Sequence, residues 1–551
     1  MLAAGPVYGQ QIQKKLTSPA VDSRQAQAFS ATSLRSTTAL APLNESQTFN
    51  LSSLPTATKT IYLDFTGHTT TGTFWNSGVG AIVTSVFSID ADQNFSATEL
   101  AMILEIWQRV AECYTPFNVN VTTKEPPVSD LINSGGSDTR WGIRVCIGTS
   151  TPDPAPGAGG VAFLTSFTWN TDTPTFVFPA RLANTAKYIA DASVHEVGHT
   201  LGLSHDGRIS PAEGYYYGHG SGPTGWAPHM GVGYDRNLVQ WSKGEYLSAN
   251  NQEDDLTIIT TQNGFGYRPD DYGNDQASAT AISGSRGVGA NANLVTVSQT
   301  GLIHLRTDTD WFKVTAGNGV LNLTAAGGVV NTMLDIQMDL YSSTGTLVAT
   351  SNPADLLTAS INQSLSAGTY YLKIDGVGKP TVLGTGYSDY SSLGTYTITG
   401  TYIAAPIFES SVVTAVYSSS AKTLTLTGDS LGNSVTVSLQ GGTLKVEGAN
   451  GTSIQAKTEA GAVISQSSSY SVTHTGKLAL SATLNSGDDA ISLVGIDSST
   501  TTIDLGAGAD KASFTLSNFG ALTVDGGPGT DLMTLVSSTY AAGGLKTLNV
   551  P

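Results

Sequence analysis

The chain has 551 residues, too many for one hydrophobic core, so roughly two to four domains are expected. A formal charge of −17, from 26 basic and 43 acidic residues with no Lys/Arg-rich stretch, excludes a nucleic-acid footprint and an anionic-membrane surface. Two cysteines, Cys113 and Cys146, cannot make a disulfide framework, and no apolar run approaches the ~20 residues of a membrane-spanning helix. Those cysteines form one bridge or stay as two buried thiols. Only 13% of residues are charged, and 61 glycines punctuate short alternating Ser/Thr-rich runs, so strands should dominate and helices should concentrate early.

Residues 1–57 are rich in Gln, Ser, Thr and Ala without periodicity and read as a low-order leader, pro-segment or linker. The start, Met1-Leu2-Ala3-Ala4-Gly5-Pro6, shows no signal peptide, so a secreted or cell-surface location rests on composition and architecture. Thr60 to Phe65 alternates and predicts a strand. Asp90-Ala91-Asp92-Gln93-Asn94-Phe95 looks like a calcium loop but has Phe95 where an EF-hand needs Gly and Ala101 where it needs Glu, so Asp90 and Asp92 read as turn residues. Ser96 with Glu99 forms a capping box, and Leu100, Ile103, Leu104, Trp107, Val110 and Ala111 recur as one buried helical face. Strands follow at Phe117 to Thr122, Trp141 to Ile147 and Val161 to Phe167, and then a second helix from about Thr185. This order suits an α+β domain over residues 58–267, in which a helix presents side chains into a cleft beside a sheet.

From Arg268 the helical periodicity disappears. Trp311 to Val314, Leu334 to Tyr341 and Thr369 to Ile374 predict a β-sandwich over 268–403, and the fold class is a multidomain α+β plus all-β chain. Residues 404–551 form a Ser/Thr/Gly-rich repeat region. From residue 484 a 21-residue period places Gly487-Asp488-Asp489 above Gly508-Ala509-Asp510 and Gly529-Thr530-Asp531, with Leu493, Phe514 and Leu535 in register, and Ile503, Val524 and Leu545 likewise. Such spacing predicts the rungs of a β-solenoid, each burying its apolar side against its neighbours.

The strongest chemical signal is His195-Glu196-Val197-Gly198-His199-Thr200-Leu201-Gly202-Leu203-Ser204-His205, which gathers three of the chain's eight histidines. Four apart on a helix, His195 and His199 project from one face and can converge on an ion. Gly202 supplies the positive-φ residue at which the helix stops, bringing His205 back as a third ligand. Three His ligands with an open position describe a catalytic zinc site, and Glu196 is placed to act as general base.

This run has the HExxHxxGxxH pattern and resembles the metzincin clan of zinc metallopeptidases. Asp206, after the third His, resembles the reprolysin (adamalysin) branch; the residues around the motif are equally similar to bacterial matrixin-like proteins. The resemblance covers about residues 58–265. It implies a turn beneath the zinc carrying a methionine, for which Met230 in Ala227-Pro228-His229-Met230-Gly231 is the candidate, with His229 supporting the site or merely exposed. It also implies a cleft-lining edge strand at Gly160, Val161, Ala162 and Phe163, to which an extended peptide substrate would add. Some members add a Tyr ligand two residues past that Met, but position 232 is Val and the nearest candidate is Tyr234. No Cys precedes Cys113, so a cysteine-switch pro-segment is not expected.

Residues 270–402 are similar to the bacterial pre-peptidase C-terminal β-sandwich, through Asp308-Thr309-Asp310-Trp311-Phe312 and Ala367 to Ile374. Asp271, Asp308 and Asp310 there, and the Gly-x-Asp turns resembling calcium-binding RTX repeats, are either Ca2+ ligands or plain turn carboxylates. The expected activity is hydrolysis of peptide bonds by a zinc-bound water from which Glu196 takes a proton, later passed to the leaving amine. Two alternatives stand beside it. One is a surface adhesion protein with a vestigial peptidase domain, its C-terminal β modules making cell-surface or glycan contacts; the other is a zinc hydrolase of non-peptide amides.

Overall fold

The computed structural model describes residues 14–21, 44–90, 92–287, 291, 293–328, 330–405 and 411–550. The chain is mostly β, with several sheets, and separates into two compact units, residues 1–405 and 406–551. Among the described residues, no helix is long and apolar enough to cross a membrane.

The first unit is built on a six-stranded mixed sheet in the order Lys15–Pro19, Ala158–Phe163, Thr175–Val177, Trp141–Ile147, Lys59–Asp64, Asn120–Thr122. The last four strands run parallel, while Ala158–Phe163 is antiparallel to Thr175–Val177 and would be the sheet edge but for Lys15–Pro19 beside it. On the central strand, the buried Arg144 guanidinium bonds Asp64 at 2.7 Å and Asp172 at 3.1 Å.

Helix Ala97–Tyr114 starts in the expected capping box, Ser96 N donating to Glu99 at 2.8 Å. Its buried stripe differs from the sequence expectation. Ile103, Val110 and Ala111 are buried, but so are Ile106, Cys113 and Tyr114, while Leu100, Leu104 and Trp107 are only partly covered. The cause is a second helix, Ala186–Thr200, packed beside the first and bonded through Tyr114 Oη to the Val194 carbonyl at 3.2 Å, which turns the apolar face toward it. Cys113 and Cys146 are both free and buried, so no bridge joins them.

The low-order leader expected over residues 1–57 is ordered wherever it is described. Lys15–Pro19 is a strand, Asn44 caps a short helix at Glu45–Thr48, and Ser52 and Leu54 both bond the Asn120 side chain. A strand completed by backbone pairing along a sheet edge needs no hydrophobic alternation of its own, so composition alone gives no sign of it.

The all-β region after residue 268 continues the core of the first sheet without a break: one apolar cluster runs from Ile61 to Ala404. Gln240 links the two parts by donating to the Met333 and Ser391 carbonyls. This region turns on one long strand, Thr309–Gly327. Its first half pairs with Gly368–Gly376 and its second with Ala359–Leu365 and Gly394–Ala404, the register shifting between Ala316 and Leu321. The shared strand joins these partners into one nine-stranded sheet.

Asp335 lies at this junction, 3% exposed, with one oxygen on Tyr387 Oη at 2.7 Å and the other without a partner. Burial pushes its carboxyl up to about 6. A carboxyl raised on folding contributes stability below its unfolded pKa near 4 and loses it as pH rises through about 6, a span worth about 2–3 kcal/mol. Asp335→Asn, which keeps the acceptor for Tyr387, should therefore raise the melting temperature at pH 8 and leave it little changed at pH 4. Parallel pH profiles for the two proteins would contradict this.

In the second unit two parallel ladders share one core: Thr423–Thr427, Leu478–Thr483, Asp497–Asp504 and Asn518–Asp525 in one, and Ser434–Gln440, Ala490–Val494, Lys511–Thr515 and Leu532–Val536 in the other. Leu493, Phe514 and Leu535 stack as the 21-residue period requires. The last rung departs from it, because Val524 pairs with Thr547 and Leu545 with Leu522. Two extra residues enter at the turn Ala541 to Gly544, where Gly543 takes φ +72°.

The aspartates of the Gly-x-Asp turns bond backbone amides of the rung before. Asp489 accepts from Asn433 N (2.6 Å), Asp510 from Asp489 N (2.7 Å) and Asp531 from Asp510 N (3.0 Å).

Candidate metal centre

Helix Ala186–Thr200 is covered on nearly every side, with Tyr188 to Ala190 and Ala192 to Thr200 all buried. Its end is fixed by backbone geometry: Gly202, at φ +108°, donates to the His199 carbonyl at 3.0 Å and Leu203 to the Gly198 carbonyl at 3.0 Å. Gly in the left-handed region makes this paired closure possible, and it turns the chain so that His205 comes back over the helix.

The His195, His199 and His205 rings lie with centroids 4.6, 5.3 and 4.7 Å apart, and one nitrogen from each falls within 4.8 Å of the others. His195 Nδ1 donates to the His229 carbonyl at 2.9 Å and His199 Nδ1 to the Leu203 carbonyl at 2.7 Å. A carbonyl can only accept, so these rings carry their protons on Nδ1 and present bare Nε2 atoms. All three Nε2 atoms are buried without a hydrogen-bond partner. Burial holds the imidazoles neutral, lowering His195 to about 3, aided by His205, and His205 to about 4. Three buried, unpartnered imidazole nitrogens in one place, two of them bare by tautomer, fit a metal ion, and among the described residues the group has no fourth protein member.

Met230 is fully buried beneath the helix, its Sδ only 2.5 Å from where a Cβ on Gly198 would stand, so a side chain at 198 would displace it. Its carbonyl takes the Asp206 amide at 2.8 Å, tying the turn to the residue after the third His. Asp206 itself is buried. His229 is not exposed: it is 3% accessible, packs on Trp241 with its Nε2 at 3.4 Å from Met333 Sδ, and serves the site through its carbonyl.

Glu196 is fully buried behind the edge strand, where a Cβ on Gly160 would lie 2.7 Å from its Cγ and Oε1. Its Oε1 accepts Ser18 N at 2.7 Å and its Oε2 has no partner. Burial pushes this carboxyl up to about 8, against the Ser18 hydrogen bonds.

The strand Ala158–Phe163 contains Gly160, Val161, Ala162 and Phe163, and the segment antiparallel to it is the chain's own: Lys15 pairs with Phe163, Leu16 with Ala162, Thr17 with Val161 and Ser18 with Gly160. Leu164 N donates to the Lys14 carbonyl at 3.1 Å, and Val21 N to the Arg181 carbonyl at 2.9 Å. Between these ends the Thr17 carbonyl accepts Tyr215 Oη at 2.6 Å and the Pro19 carbonyl accepts Tyr234 Oη at 2.9 Å. Tyr234 thus holds this segment, while the ring over His205, at 4.4 Å, belongs to Tyr215. Sequence reasoning passed over Tyr215; its only signal was the run Tyr215-Tyr216-Tyr217 shortly after His205.

The acidic residues of the all-β region after residue 268 divide differently from the expected trio. Asp270, Asp271 and Asp310 bring oxygens together, and Asp270 also lies within 4.8 Å of Asp308 and His304, which pair through His304 Nδ1 at 2.6 Å. Asp308 and Asp310 are 1% and 0% exposed, so they are not solvated turn carboxylates. Asp310 instead accepts Tyr396 Oη at 2.5 Å. Asp90 and Asp92 do act as turn residues, accepting the amides of Asp92 and Asn94.

No protein-family model matches the chain, and no curated protein matches it.

Proposed function

We propose that the chain is a zinc-dependent endopeptidase of the metzincin type, exported from the cell. The observation that carries this reading is the convergence of three buried, unpartnered Nε2 atoms, two of them from the helix that carries Glu196, near a strand already paired with an extended segment of the chain. Zinc bound by His195, His199 and His205 would supply Lewis acidity at its open position. The chain's own residues would do the rest. Residues 160–163 pair with an extended substrate and fix its direction, favouring a peptide over a small amide. The Tyr215 hydroxyl donates to the carbonyl of the bond to be cut, and developing charge on that oxygen strengthens the bond it makes. Glu196, with one free oxygen, takes a proton from the attacking water and returns it to the leaving nitrogen. Depth of burial keeps bulk water from competing for these groups.

The test is metal analysis together with casein digestion. The expected result is one transition-metal ion per chain, digestion abolished by a chelator, and recovery on adding zinc. Digestion that continues in chelator, or protein without a stoichiometric ion, would refute the reading.

A further inference from the structure

We propose that the Thr17–Ser18 peptide bond is the centre's first substrate, cut by the same chain that carries it, and that residues 14–21 keep the cleft closed until then. The inference rests on the peptidase reading above. Its evidence is the pose of this one bond. Residues 15–18 add to the cleft strand antiparallel, in continuous register, and the register breaks only after Ser18. On the two sides of the bond stand the groups a hydrolysis needs: Tyr215 Oη on the Thr17 carbonyl at 2.6 Å, and Glu196 Oε1 on Ser18 N at 2.7 Å. A strand that merely completed the sheet would not need its carbonyl on a tyrosine whose ring lies 4.4 Å from that of His205 and its next amide on the buried carboxylate. Hydrogen bonds beyond each end, from Leu164 N to Lys14 and from Val21 N to Arg181, hold the bond taut across the site, and Lys15 Nζ lies 4.7 Å over the Trp75 ring. Reacting groups already held at contact distance convert a bimolecular reaction into a unimolecular one.

The reaction balances with water alone. Water oxygen adds to the Thr17 carbonyl carbon, the C–N bond to Ser18 breaks, Thr17 departs as a carboxylate, and the proton carried by Glu196 ends on the Ser18 amine. Among the described residues, 14–17 would then be held by strand hydrogen bonds, the Tyr215 hydroxyl on Thr17 and two cation–π contacts of Lys15, with no covalent tether to keep them in place on dilution. Val161 to Phe163, the partners of residues 15–17, become free for external peptides, while Ser18 and Pro19 stay beside Gly160 and Ala158.

The experiment uses the full chain, prepared without metal and then given zinc, and follows intact mass and casein digestion together. The expected product begins at Ser18. It forms with a half-time unchanged by tenfold dilution, casein digestion shows a lag of the same length, and Glu196→Ala does not form it. Casein digestion by a chain still joined at Thr17–Ser18, or a half-time that lengthens in proportion to dilution, would overturn the proposal while sparing the peptidase reading. A chain that cuts neither itself nor casein would overturn both. A second readout needs no activity: in the metal-free chain, hydrogen exchange at the Ser18 and Val21 amides should be slowed at least about a hundredfold relative to free peptide. Exchange at the free-peptide rate would show that the segment is not seated.

Discussion

Replacing Glu196 with alanine is expected to leave metal uptake intact and to lower peptide turnover by at least about a thousandfold. The three imidazoles owe their positions to other groups. His195 and His199 are oriented by the His229 and Leu203 carbonyls, and the helix end by the Gly202 closure, so none of this is lost with the carboxylate. What disappears is the only carboxylate bonded to the amide nitrogen lying across the site. Removing it takes away a desolvated group but also strands the Ser18 amide and leaves a cavity, so metal content and digestion are read on variant protein shown to be folded. Full metal content with digestion lost is the expected pair of results. Undiminished digestion would remove Glu196 from the mechanism, whereas a chain that no longer takes up metal would mean the carboxylate holds the ion.

Arg144→Leu should cost about 3–5 kcal/mol of folding stability, the largest effect expected from a substitution outside the site. The side chains of Arg144 and Asp64 are 2% and 1% exposed, so water cannot replace the lost partner. Asp64 also accepts the Thr66 amide and hydroxyl, both at 3.0 Å, so it cannot turn away from its position. Replacing Asp64 with Leu in the same chain should recover part of the loss, since it removes the more deeply buried of the carboxylates that Arg144 pairs and leaves Asp172, 14% exposed, as the one without its partner. Denaturant titration of the two single variants and the double variant gives the coupling directly. A single variant within about 1 kcal/mol of the parent would mean that solvent reaches Asp64.

The histidine constellation was readable because its members are close in the chain: helical spacing set His195 against His199, and a single glycine returned His205. The same locality made the Ser96–Glu99 capping box and the stacked Leu493, Phe514 and Leu535 legible. Contacts between distant residues were not. Ser18 meets Glu196 and Tyr215 meets Thr17 only after the sheet forms, and residues 14–21 carry no periodic signal because backbone groups make most of their contacts. Packing also decides burial beyond what a pattern states. His229, Asp308 and Asp310 are polar residues in turn-like sequence that end up covered, and the stripe of the first long helix rotates to meet a partner helix.

The aspartate ladder of the second unit fixes the lengths by which that unit can change. Each carboxylate reaches an amide 21 residues earlier for Asp510 and Asp531, so an inserted segment of that size adds a storey and leaves the others as they were. One residue more or fewer within a strand would send the following apolar side chains outward and pull the carboxylate away from its amide. Growth or shrinkage of this array by duplication is therefore quantised in whole storeys, except at its final turn, where the two extra residues before Leu545 have already broken the count.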